Sequence, residues 1–401
     1  MPLDRINREP NHPGESAPRL KVLQLGKFYP PHMGGIETHL QNLCGELRKS
    51  VDLRVLVASD DRRTAEDVVN GVSVTRVGTR LTLASTPFCP GLVAKIRRSD
   101  ADIIHCHLPN PAAVLAYLAS GHPGRLVVTY HSDTVRQKVL GALFEPWLHA
   151  ALRRSSAIIA TSENYNRSSA VLARYQDRTH VIPYGIPVEQ FEQCDTNSIR
   201  EIRQRYGNNL VLTVGRLVYY KGLDYLIRAM TRVSGKLLIV GGGPLETELR
   251  TLVSNLGLTE KVIFVGEIQN HQIVPYYHAA DLFALASVAR SEAFGIVQIE
   301  AMAAGLPVIN TQLDSGVPFV SLHGVSGLTV APQNPEALAG AINRLLEDNS
   351  LRQSFSKAAQ KRAWSEFSLD AMTSRTLSLY ETLARPAIPA WAGTGSRVAS
   401  S

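Results

Sequence analysis

The chain has 401 residues, 44% apolar and 19% charged, a globular composition that excludes wholesale disorder and predicts two or three domains. No apolar run approaches the ~18 residues of a membrane-spanning helix, and four scattered cysteines (Cys44, Cys89, Cys106, Cys194), with no Cys-x-x-Cys pair, argue against a disulfide framework or a cysteine-built zinc site. A net charge of +7 suits anionic partners. Nucleic acid is the least supported of these, because there are no basic blocks, no aromatic–basic interleaving and no zinc-finger signature.

In chain order, residues 1–18 are polar, lack the apolar stretch of a secretory signal and read as a flexible segment of a cytoplasmic protein. Short apolar strands then alternate with longer helical stretches. Strands are expected at 19–25, 52–58, 102–105, 126–130, 158–161 and 180–182, with helices at 37–49, 111–120, 135–154 and 162–175. The second half repeats the pattern, with strands at 210–214, 236–240, 262–265, 282–285 and 308–310 and helices at 222–233, 244–255, 273–278, 297–304 and 335–348. Such alternation means an α/β protein with parallel sheets covered on both faces. Two runs imply two doubly wound, Rossmann-like domains, 19–182 and 196–365, joined by a hinge at 183–195 that carries Pro183, Gly185 and Pro187. A last helical stretch, 356–384, contains Trp364, Phe367 and Tyr380; residues 386–401 are small and polar and read as a disordered tail.

Open parallel sheets bind ligands at the carboxyl ends of their strands, so two facing sheets would enclose a cleft there. Gly34-Gly35 follow the first strand and precede a helix; bare backbone there can approach a phosphate, or can simply make a tight turn. His131-Ser132-Asp133 follow the strand 126–130. His131 can donate to a phosphate or sugar oxygen or shuttle protons, or it can help cap the next helix. His105 and His107, expected at a strand end, read as structural or cleft-lining, since no third metal ligand is near in sequence. In the second half, Arg216 and Lys221 lie five apart in a glycine-flanked loop after a strand, a diphosphate clamp or two solvated charges. Gly241-Gly242-Gly243-Pro244 fit no nucleotide-loop spacing and read as a loop flanking the cleft. The strongest signal runs from Ser291 to Ile309. Glu292 lies ahead of a helix, free to reach a ligand hydroxyl, and the N–H groups of Phe294, Gly295 and Ile296 favour an anion. Glu300 falls on the packed helix itself, where a carboxylate needs a partner: a vicinal diol such as a ribose, or a basic residue elsewhere.

With these residues the sequence resembles the retaining glycosyltransferases of family 4 (glycosyl transferases group 1), which have the GT-B fold. The resemblance spans residues 21–384 and rests on Gly34-Gly35-Ile36-Glu37, Thr129-Tyr130-His131-Ser132, Ile182-Pro183-Tyr184-Gly185-Ile186, Gly215-Arg216 with Lys221-Gly222, Val240-Gly241 with Gly243-Pro244, and the Glu-x7-Glu segment from Glu292 to Glu300. It implies two domains facing a central cleft, with residues 366–385 as a helix crossing back onto the N-domain. It also implies that Gly34 and Gly35 approach the donor diphosphate and that His131 sits by the donor sugar. Arg216 and Lys221 would hold the diphosphate, Glu292 with Phe294, Gly295 and Ile296 the sugar and phosphate, and Glu300 the ribose. Such enzymes usually need neither cofactor nor metal. The family commonly places an Asp where Pro187 follows Ile186 here, so no carboxylate serves at that point.

The segment 310–328 resembles the branch that builds bacterial surface polysaccharides, including lipopolysaccharide O-antigen, from GDP-mannose or GDP-rhamnose. The expected reaction is retaining transfer of a hexose from a nucleotide-diphosphate sugar to a saccharide or lipid-linked saccharide. The rival readings are a non-hydrolysing sugar-nucleotide epimerase and a non-catalytic nucleotide-binding module. In 135–154, Leu140, Leu143, Phe144, Trp147, Leu148 and Leu152 fall at helical spacing between basic ends (Arg136, Lys138, Arg153, Arg154). That face either lies peripherally on the cytoplasmic membrane or packs on the N-domain sheet.

Overall fold

The computed structural model describes residues 19–32, 34–83, 86–132, 138–269 and 272–385; of 138–142 it describes the backbone alone. The expectations for 1–18, for 386–401, and for Asp133, Arg136 and the side chains of Lys138 and Leu140 fall outside these residues.

The strands, in chain order, are β1 (Lys21–Leu25), β2 (Asp52–Ala58), β3 (Ala65–Val69), β4 (Val72–Val77), β5 (Leu81–Leu83), β6 (Thr86–Phe88), β7 (Ile103–Leu108), β8 (Arg125–Tyr130), β9 (Ala157–Ala160) and β10 (Thr179–Val181) in the first half. The second half adds β11 (Leu210–Val214), β12 (Lys236–Val240), β13 (Val262–Gly266), β14 (Leu282–Ala284), β15 (Val308–Thr311) and β16 (Gly327–Val330). The first sheet has the order β10-β9-β8-β7-β1-β2-β4-β3 and the second β13-β12-β11-β14-β15-β16. Every pairing in them is parallel except β3 with β4; β5 and β6 form a separate hairpin. This is the α/β architecture of two doubly wound sheets. The strand order reverses between β1 and β7 in one sheet and between β11 and β14 in the other, and such reversals open a crevice at the strands' carboxyl ends.

Buried runs such as β7, covered along its whole length, follow from helices on both faces. β7 does not end at His105, as expected, but continues to Leu108, because β8 pairs with it as far as Leu108↔Tyr130. His107, expected just beyond the strand, is therefore a strand residue like His105, two apart from it on one face of the sheet. The stretch 162–175 is helical only over Glu163–Ser168, with a 3-10 turn at Leu172–Arg174. The stretch 356–384 belongs to two helices, Asn349–Phe367 and Leu369–Ala384. Ser368 breaks them in extended conformation, and its Oγ accepts from Ala371 N–H at 3.1 Å, capping the second.

That second helix leaves its own half and buries Met372, Leu379 and Tyr380 with Leu40, Leu43 and Leu47 of the helix Gly35–Leu47 and with strands of the first sheet. The two passages of the chain between the halves are bonded to each other. Ile186 N–H donates to Phe367 O at 2.9 Å and Leu369 N–H donates to Ile186 O at 3.1 Å. A side chain at Gly185 would strike the Ser368 carbonyl. The halves meet again where Ser168 Oγ donates to Asp314 O at 3.1 Å. Among the described residues no helix is long and apolar enough to cross a membrane.

Met372 is fully buried where the last helix meets the first half, and its sulfur accepts from Gly185 N–H at 3.1 Å. Met372→Ala should lower unfolding free energy by about 2–5 kcal/mol in a urea titration. A loss near zero would show that this helix is not docked there.

Candidate active site

The loops at the two reversals converge on a cleft of about 430 Å³ lined by Gly35, His131, Tyr184, Lys221, Glu292 and the 293–297 segment, among others. It lies between the halves: Gly35 and His131 come from the first, Lys221 and Glu292 from the second, and Tyr184 from the connection. Tyr184 spans the gap, its hydroxyl on His131 Nδ1 at 2.7 Å and its ring edge-on to Phe294 at 4.9 Å.

Lys221 sits in the 3-10 turn Tyr219–Lys221 after β11, and Glu292 in the loop after β14. Their side chains, each 11% exposed, form an ion pair at 2.6 Å, and Ser287 Oγ donates to the same carboxylate oxygen at 3.2 Å. Glu292 is thus engaged with Lys221 rather than free, as the sequence suggested. The reason is that β11 and β14 are neighbours in the sheet, which brings their loops together. Arg216 is exposed and has no ion-pair partner among the described residues; it adjoins Lys221 in a small side recess with Gly215. In the triple-glycine loop Gly241 and Gly243 pack on backbone, a Cβ at Gly243 coming within 2.6 Å of the Leu217 carbonyl oxygen, and Gly242 packs on the Glu267 side chain.

The helix expected near Gly295 begins at Val297, though helical bonding already starts with Gln298 N–H on Gly295 O at 2.9 Å. The N–H groups of Phe294, Gly295 and Ile296 have no backbone acceptor among the described residues. Glu300 lies on that helix outside the cleft lining. Tyr277 donates its hydroxyl to one carboxylate oxygen at 2.7 Å, and among the described residues no basic side chain bonds it directly. Burial raises the Glu300 carboxyl above its ordinary range, against the lowering effects of Tyr277 and the Lys221 charge. Gly34 is exposed just before the first helix, outside the cleft lining; its carbonyl accepts from Thr38 N–H at 2.9 Å.

His131 is 2% exposed, and both its ring nitrogens are bonded within the protein, Nε2 to His107 Nδ1 at 3.1 Å and Nδ1 to Tyr184. The sequence did not disclose His39, from the first helix, whose ring lies edge-on to His107, His131 and Tyr184. Its i+4 spacing from Gly35 was the available signal. Ligand atoms of His39, His107 and His131 lie within 4.8 Å of one another. The direct His107–His131 bond, however, uses nitrogens that would have to converge on an ion, so the group fits a hydrogen-bonded chain better than a metal cage. Neither nitrogen of His39 has a partner among the described residues.

Residues 195–362 match the family described as Glycosyl transferases group 1, and residues 33–190 the family described as Glycosyltransferase Family 4. The chain is 34% identical over 369 residues to the O-antigen chain mannosyltransferase C of Escherichia coli, covering 91% of this chain and 99% of that one. It is 33% identical to D-rhamnosyltransferase WbpZ of Pseudomonas aeruginosa, covering 86% and 91%. The crystal structure of Anabaena Alr3699/HepE in complex with UDP superposes with a TM-score of 0.74 over 90% of this chain and all of that one, at 24% identity.

Burial holds four imidazoles far below the ordinary histidine value of 6.5: His39 at about 4, His105 at about 3, and His107 and His131 well below it. The unfolded chain protonates these groups near 6.5 and the folded chain does not, so the unfolded state binds more protons as pH falls. Stability should therefore be fully present above about pH 7 and decline towards pH 5, by up to about 1.4 kcal/mol per unit for each imidazole. Urea midpoints measured across that window check this; a flat profile would mean the rings are solvated.

Proposed function

The chain belongs to the family-4, group 1 glycosyltransferases and is a glycosyltransferase; from that premise we propose that it moves mannose or rhamnose from a GDP-sugar, with retention, onto a saccharide or lipid-linked saccharide acceptor in O-antigen or related polysaccharide synthesis. The mannosyl- and rhamnosyltransferase relatives support the sugar. One observation carries the chemistry: bare backbone from both halves and a paired cation line a single cleft at the two strand-order reversals.

In this reading the diphosphate lies between Arg216 and Lys221 on one side and the N–H groups of Phe294, Gly295 and Ile296 on the other, with Gly35 and the adjoining Gly34 closing over it. Glu292 orients Lys221 and takes donor-sugar hydroxyls; Glu300, with one oxygen held by Tyr277, offers the other to the ribose. His131 walls the sugar pocket. The bond from the anomeric carbon to the phosphate oxygen breaks, and the acceptor oxygen bonds that carbon from the same face. The departing phosphate takes the acceptor's proton. Positive groups set in advance where charge develops contribute several kcal/mol. They do the work a divalent cation does elsewhere, so turnover should survive EDTA.

Arg216→Ala should lower turnover by about a hundredfold or more while leaving the unfolding midpoint within about a degree, because Arg216 is exposed and has no ion-pair partner among the described residues. Equal loss of fold and activity would make it structural. A thermal-shift panel of GDP, UDP and ADP with their sugars should give the largest shift with GDP-mannose or GDP-rhamnose, since a ligand stabilises by mass action. A larger UDP shift would overturn the donor assignment.

The proposal extends to peripheral membrane contact through the helix Lys138–Arg154. Leu152 is fully buried and Phe144 and Leu148 pack partly against the core, so one face of the helix does cover the sheet. Leu143 and Trp147, four apart, stand 70% and 53% exposed, and Arg153 and Arg154 close the last turn. Anionic vesicles should sediment the protein at low salt, and Leu143→Glu with Trp147→Glu should abolish this. Failure of the native protein to sediment would remove the contact.

A further inference from the structure

Gln24, fully buried in β1, joins two hydrogen-bonded branches. Its Nε2 donates to the Tyr380 hydroxyl at 3.0 Å, which leaves Oε1 for His107 Nε2 at 2.9 Å. An amide oxygen only accepts, so His107 carries its proton on Nε2. His107 is neutral, and its Nδ1 is a bare lone pair. His131 Nε2, 3.1 Å away, must then donate to it. His131 is neutral as well, so its Nδ1 accepts from the Tyr184 hydroxyl. On the other branch, Tyr380 has accepted from Gln24 and gives its proton to His105 Nδ1 at 2.5 Å; His105 Nε2 donates to Thr129 Oγ1 at 2.7 Å. Every proton from Thr129 to Tyr184 is thereby assigned, and one amide sets the direction of them all. Turning that amide over would reverse each bond and place the His131 proton on Nδ1.

We propose that Gln24 and His107 are positioning residues of the transfer reaction: they hold His131 as the Nε2–H tautomer, so that Nδ1, the nitrogen facing Tyr184 at the cleft wall, accepts from a donor-sugar hydroxyl that displaces Tyr184. Tyr380, on the helix Leu369–Ala384, bonds this amide and relays its direction to His105, so the docked last helix is part of the same chain. This rests on the reading that His131 borders the donor sugar.

The test uses the full-length enzyme labelled with nitrogen-15 histidine. Long-range proton–nitrogen spectra should show His131 protonated at Nε2 and bare at Nδ1; the opposite tautomer overturns the proposal, and this measurement needs no donor. With GDP-mannose, Gln24→Leu should lower kcat about tenfold or more with little change in KM, because a mis-set tautomer harms the reaction rather than the encounter. His107→Phe, which keeps a ring in place, should behave alike and stands in if the leucine variant does not fold. In a His131→Ala background, Gln24→Leu should cause no further loss of kcat; an equal loss in both backgrounds overturns the proposal by showing that Gln24 acts elsewhere. A His131→Ala enzyme with full turnover would sink the donor-site reading itself, a result distinct from a wrong tautomer.

Discussion

The ion pair of Lys221 with Glu292 is the constraint around which the cleft is arranged. Two charges, each about nine-tenths covered, sit 2.6 Å apart. Withdrawing either from water costs several kcal/mol unless the other is kept beside it. The loop after β11 and the loop after β14 must therefore close on each other, which fixes the height of the 293–297 backbone above the sheet. The pair also leaves the cleft close to neutral at this point, while Arg216 beside it has no ion-pair partner among the described residues.

Much of this was legible in the sequence because parallel sheets put their ligand loops at one end. A loop with glycine or a charged residue between an apolar strand and a helix start marks such a place without knowledge of distances; Gly35, Lys221, Glu292 and Phe294–Ile296 are legible that way and share one cleft. β11 and β12, apolar except for Thr213 and Lys236 and bounded by turn residues, were placed to the residue. What could not be read were contacts between distant segments. That Lys221 would meet Glu292, and that Glu300 would find a tyrosine hydroxyl rather than a base, depends on which strands become neighbours.

The misplaced elements have physical causes too. β3 is exposed along most of its length and its first three residues are small or polar, so it carries no apolar alternation; it pairs at the sheet edge through its backbone ladder and the Asp67–Arg76 ion pair. β7 contains two histidines, which look like punctuation but are strand residues once Gln24, Thr129 and Tyr380 satisfy them. The break at Ser368 lies in an otherwise uninterrupted helical sequence. Ser368 is a local cap signal there, but its pairing with Ile186, nearly two hundred residues earlier, is one that no local pattern reports.

The paired strands of chain at Ile186 and Ser368 have a mechanical meaning. Because both tethers between the halves run side by side and share hydrogen bonds, they behave as one pin rather than two independent straps. Rotation about such a pin would leave its own neighbourhood, including the Tyr184 backbone two residues away, almost still while the far lip travels. A cleft hinged in this way would open more at its rim than at its floor.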